Sequence, residues 1–121
     1  MIRITYYVSG EIWNGAVDEL LLNAFGGATI MPGHGLWKDE SGEVYDEQCW
    51  SIVVLVESAT LNEIQEVGDI ICKRLNQQSV YVTFEEVKGF LVEAKENNGA
   101  QKGNSVKIDK RTTHSAIPSH P

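Results

Sequence analysis

The stretch Ile52-Val53-Val54-Leu55-Val56 is apolar without a break. Successive side chains of a strand point to opposite faces, so this one is apolar on both sides and reads as an interior strand covered from two directions. It is far shorter than the roughly 20 residues a membrane-crossing helix needs. The rest of the 121-residue chain must therefore supply the neighbouring strands and at least one covering layer.

The flanking segments do so in a definite order. Arg3 to Val8 places Ile4, Tyr6 and Val8 on one face and Arg3, Thr5 and Tyr7 on the other, which predicts a first strand. Asn14 is a candidate N-cap, Val17, Leu20, Leu21 and Ala24 recur at helical spacing, and Gly26-Gly27 stops the run, predicting a helix over about residues 15–25. Ala28 to Lys38 holds Pro32, Gly33 and Gly35, which points to an edge strand with a bulge. Asp39-Glu40-Ser41-Gly42 then turns the chain into Val44 to Glu57, making a hairpin.

Thr60-Leu61-Asn62-Glu63 has the form of a capping box. Leu61, Ile64, Gly68, Ile71 and Leu75 follow at helical spacing, with Lys73 and Arg74 at the negative helix end, so the second helix spans about 61–76. Ser79 to Phe84 alternates as a fourth strand, and Val87 to Val92 offers a short extra one. The order β-α-β-β-α-β is that of an α+β ferredoxin-like sandwich, with two helices on one face of a four-stranded antiparallel sheet and the first and third strands central. Residues 1–93 form this domain, and residues 94–121 read as a polar, disordered tail.

Two helices cover one face only. The open face then carries Thr5, Tyr7, Val53, Leu55 and Tyr81, which is too apolar to remain wet, and this predicts a homo-oligomer, most simply a symmetric dimer.

Charge narrows the partners. Residues 1–93 hold five basic groups against fifteen acids, a net of −10, while residues 94–121 hold five against two. An acidic body repels phosphate backbones, so general nucleic-acid binding is not expected. The N-terminal residues lack the basic, apolar and small-residue sections of a signal peptide, and a cytoplasmic chain is the simplest expectation. Two cysteines, Cys49 and Cys72, make no disulfide framework and no zinc knuckle, and both are expected to stay reduced as small hydrophobes.

The chemistry-bearing residues gather in the predicted hairpin. His34 lies between Gly33 and Gly35, Trp37 and Tyr45 follow on the same hairpin, Glu47 can pair with His34, and Trp13 stands in the loop after the first strand. Together Trp13, His34, Trp37, Tyr45 and Glu47 can frame a planar ligand. No catalytic constellation accompanies them: the chain holds no Gly-x-Ser-x-Gly, Walker loop, dinucleotide fingerprint or Cys-x-x-Cys. A lone histidine and the carboxylates Glu40, Glu43, Asp46 and Glu47 match no zinc or calcium site, so neither metal nor cofactor is expected.

The run Gly33-His34-Gly35-Leu36-Trp37, followed by Gly42-Glu43-Val44-Tyr45 and Glu47 before an apolar strand, resembles small uncharacterised ferredoxin-like families of bacteria and their phages. The resemblance covers about a third of the chain and implies the fold without catalytic residues. The leading functional expectation is a non-catalytic oligomeric module that binds a small ligand, such as a nucleotide sequestered by a phage protein in counter-defence. Arg3, Lys38, Lys107, Lys110 and Arg111 are the cations a phosphate group would draw on. The alternatives are a small dimeric enzyme using His34 with Glu47 or Tyr7 for proton transfer, and an acidic inhibitor of a host protein.

Overall fold

A computed structural model describes residues 1–10 and 13–95. Its elements are β1 (Ile2–Ser9), α1 (Asp18–Phe25), β2 (Thr29–Lys38), β3 (Val44–Val56), α2 (Leu61–Arg74) and β4 (Tyr81–Glu86). The four strands form one antiparallel sheet in the order β2-β3-β1-β4, so β3 and β1 are central, as the doubly apolar run required. This is the ferredoxin-like α+β arrangement.

The core lies between the sheet and the helices. Ile4, Tyr6 and Val8 of β1 and Ile52 and Val54 of β3 are buried against Leu21 of α1 and Ile64, Val67 and Ile71 of α2. Each such side chain contributes about 1.5–3 kcal/mol by leaving water. The Tyr6 hydroxyl donates to the Ile64 carbonyl at 2.8 Å, which satisfies the one polar side-chain atom of this residue inside the core. Burial pushes the Tyr6 phenol well above its ordinary pKa, so the ring stays neutral. At Gly68 the helix passes close over that ring: a Cβ there would stand 3.5 Å from it, an ordinary van der Waals contact.

The helices start and stop largely as written in the sequence. Thr60 Oγ1 accepts from the Glu63 N–H at 3.1 Å, and Glu63 Oε1 accepts from the Thr60 N–H at 2.7 Å, completing the capping box of α2. Gly26, at φ 84°, ends α1 in the left-handed region and donates its N–H to the Leu22 carbonyl at 2.9 Å. The beginning of α1 is later than expected. Asn14 Oδ1 accepts from the Ala16 N–H in a local turn, Gly15 takes φ 80°, and regular helix begins only at Asp18.

Three strand expectations change. β2 carries no bulge: its pairing with β3 is continuous from Thr29 opposite Val53 to Lys38 opposite Val44, because an edge strand tolerates Pro32 without distortion. β4 is shifted to Tyr81–Glu86. Val87 to Val92 forms no strand, and the Val87 N–H donates to the carbonyl of Met1 at 2.8 Å. Phe90, at 87% exposure, Leu91 and Val92 are left in solvent. The expected tail lies outside the described residues, apart from Ala94 and Lys95. Among the described residues no helix is long and apolar enough to cross a membrane.

Candidate functional site

β1 reaches only as far as Cys49 of β3, so residues 34–48 project past the sheet as a two-stranded arm. The arm is closed by Asp39. Its Oδ1 accepts from the Ser41 hydroxyl at 2.7 Å and from the N–H groups of Ser41 and Glu43 at 2.8 and 3.0 Å. Its Oδ2 accepts from the Tyr45 hydroxyl at 3.0 Å. The Ser41 hydroxyl is the largest of the effects that hold the Asp39 carboxyl below its ordinary pKa, with Glu43 and Tyr45 adding to it.

Opposed residues in an antiparallel ladder share a face. That parity splits the residues expected to meet. Trp37 and Tyr45 are direct partners on the open face, stacked with centroids 4.1 Å apart and planes 12° apart. Gly35 and Glu47 are the next opposed pair along that face, and Glu47 Oε1 accepts from the Ser9 hydroxyl at 3.1 Å. His34 belongs to the other face, opposite Gln48, where its Nε2 meets Asp46 Oδ1 at 2.8 Å. A His34–Glu47 pair is therefore excluded by strand register, and Tyr7 is likewise on the face His34 turns away from.

Trp13 serves a different purpose. Its Nε1–H donates to Asp18 Oδ1 at 3.0 Å, and its ring packs on Trp50 with centroids 5.7 Å apart. Asp18 is only 4% exposed, so this indole supplies a hydrogen bond that a buried carboxylate needs. The sequence signal was the spacing Trp13 to Asp18 across a glycine, which periodicity does not register. Trp50 is half-buried against the core, and its Nε1 is buried without a hydrogen-bond partner among the described residues.

The open face holds the remaining expectation. Thr5 and Val53 are opposed at its centre and half-buried, while Tyr7, Leu55 and Tyr81 are exposed, Tyr81 to 75%. Gly33 and Gly35 leave bare backbone between Met31 and Trp37, and Cys49 stands beside them: a Cβ on Gly33 would lie 3.2 Å from its Sγ. Cys49 and Cys72 are both free and half-buried. Arg3 is engaged by Glu85, with Nε 3.1 Å from Oε2. Among the described residues no group of three His, Cys, Asp or Glu side chains is placed to hold a metal ion.

Residues 5–90 match the model of a family described as protein of unknown function, DUF3574. The chain belongs to that family. No curated protein matches it in sequence. Solved structures similar to it include a phage SAM lyase in complex with S-methyl-5'-thioadenosine, at 16% identity and TM-score 0.55, covering 70% of this chain and 80% of that one. CutA of Pyrococcus horikoshii aligns at 14% identity and TM-score 0.55, covering 75% and 88%. The divalent cation tolerance protein CutA1 of Thermus thermophilus aligns at 14% identity and TM-score 0.57, again covering 75% and 88%. These likenesses establish that the DUF3574 chain shares their fold.

Proposed function

We propose that the chain is a homo-oligomeric module that binds a small planar ligand on the open face of its arm. The observation that carries this reading is the Trp37–Tyr45 stack, half exposed and fixed by the bond from Tyr45 to Asp39, beside the bare backbone of Gly33 and Gly35. A rigid aromatic platform next to glycines accepts a flat ring at little entropic cost. A ribbon face alone does not enclose a ligand, and sites for small molecules bury most of their occupant. A second copy closing over the apolar open face completes the enclosure, so ligand binding and self-association through Tyr7, Leu55 and Tyr81 belong to one proposal.

Charge selects the ligand class. The arm carries Asp39, Glu40, Glu43, Asp46 and Glu47 against Lys38, and Arg3 is engaged by Glu85. Such a surface disfavours a polyphosphate and favours a neutral or cationic nucleoside, the class to which the ligand of the phage neighbour belongs. A second reading has one observation in its favour: the His34–Asp46 pair has the form of an oriented base, here with Asp46 in place of Glu47.

Calorimetry against S-methyl-5'-thioadenosine, adenosine and ATP separates these readings. Binding of the phosphate-free compounds is expected, at least tenfold weaker for ATP, lost in Trp37→Ala and kept in His34→Ala. No heat from any nucleoside overturns the binding reading, and a monomer in native mass spectrometry at tens of micromolar overturns the oligomer. Turnover of a compound abolished by His34→Ala establishes the enzyme instead.

A further inference from the structure

A cleft of about 720 Å³ lies between α1 and α2, far from the arm. Phe25, Val67 and Ile70 give it an apolar lining, and Glu63, Glu66 and Asp69 line it with exposed acids. Steps of three residues rise about 4.5 Å along a helix, so these carboxylates follow one another over about 9 Å. Glu63 spends one oxygen on its own helix cap. Among the described residues neither Glu66 nor Asp69 has an ion-pair partner, and like charges at this spacing repel. A groove that is apolar inside and uncompensated at its edge fits a segment that is apolar and basic by turns.

The chain contains such a segment. Residues 96–121 carry Lys102, Lys107, Lys110 and Arg111 against two acids, the reverse of the body's balance. Within them Val106 and Ile108 alternate with Lys107, and Lys110 and Arg111 follow after Asp109.

Reach is no obstacle. Ile2 pairs with both Val56 and Glu86, so β4 ends at the same end of the sheet as Val56, which lines the cleft. The interval from Lys95 to Val106 adds up to about 36 Å of chain. The neighbouring groove between α2 and β4, about 400 Å³, has Asp69 as its single acid, so charge directs a basic segment to the interhelical cleft.

We propose that residues 106–111 of the same chain dock in the α1–α2 cleft. Val106 and Ile108 cover its apolar lining, and the excess of Lys107, Lys110 and Arg111 over Asp109 neutralises Glu66 and Asp69. The contact is electrostatic at its edge and weakens in 1 M salt, where the screening length falls to about 3 Å.

Carbodiimide cross-linking of the full chain, as an equal mixture of ¹⁴N and ¹⁵N protein unfolded and refolded together, tests this directly. Links from Lys107 or Lys110 to Glu66 or Asp69 are expected within one isotope only. Mixed-isotope links assign the segment to a second copy and overturn the proposal, as does the absence of any such link. Hydrogen exchange provides the second measurement. Amides 106–111 should be protected at least fivefold, unprotected in Glu66→Lys/Asp69→Lys, and protected again when Lys107→Glu/Lys110→Glu is added. Equal exchange in all three proteins overturns the proposal without depending on the cross-linker.

Discussion

From Cys49 to Val53, β3 has a neighbour on each side, and it buries Ile52 and Val54 beneath the helices, whereas from Val44 to Gln48 it has only β2 beside it and every residue is exposed. Apolar side chains occur in both regions. In the body they are removed from water, but on the arm Leu36 is 67% and Val44 63% exposed, on the opposite face from the Trp37–Tyr45 stack. A two-stranded ribbon gains little stability by itself. The body's apolar residues therefore hold the fold, and the arm's are available for contact.

The largest effect that can break this distinction is in urea denaturation. Ile52→Ala should cost about 3 kcal/mol, from lost burial plus the cavity left behind. Leu36→Ala should stay within about 0.5 kcal/mol, as for an exposed site. Comparable losses in the two variants would mean that the chain packs its own arm, and the contrast between the regions would fail.

The body was also the legible part of the sequence. Ile4, Tyr6, Ile52 and Val54 announced their face by alternation, and Thr60 with Glu63 announced a helix start, because burial and capping both leave a local spacing. The arm was legible as a hairpin, yet not as a site. Whether His34 and Trp37 share a face depends only on whether three positions is an odd step, but the proposed cluster was assembled by proximity along the chain and so mixed the two faces. The role of Trp13 in the fold is hidden for another reason. Its partner Asp18 is a buried acid, and composition around Trp13, polar and glycine-rich, looks the same whether the indole meets a ligand or a carboxylate.

That pair gives the next test, smaller than the first. Trp13→Phe keeps an aromatic ring against Trp50 but removes the N–H that satisfies Asp18, and leaving a buried carboxylate short of a donor costs about 2 kcal/mol. Trp37→Phe on the arm should change stability by less than about 1 kcal/mol while weakening ligand binding. Urea midpoints and calorimetry on the same two proteins sharpen the contrast, because each variant should lose what the other keeps. A Trp37→Phe protein as unstable as Trp13→Phe would place the stack among the fold's supports.

The smallest effect distinguishes the regions by pH. Asp39 closes the arm with a carboxyl held below its ordinary pKa, first by the Ser41 hydroxyl, so its contribution is complete above the unfolded value of about 4 and is lost as pH falls through the lowered one. Tyr6 in the body has the opposite sign. Its raised phenol contributes fully below the unfolded value of about 10, and alkali beyond that draws on the core. Amide shifts of Ser41 and Glu43 should therefore move together in acid while those around Ile64 stay fixed. Asp39→Asn should abolish the acid movement and Tyr6→Phe the alkaline loss of stability. Acid shifts that reach Ile64 at the same pH would show that arm and body open as one unit, which the exposed two-stranded geometry of residues 34–48 does not predict.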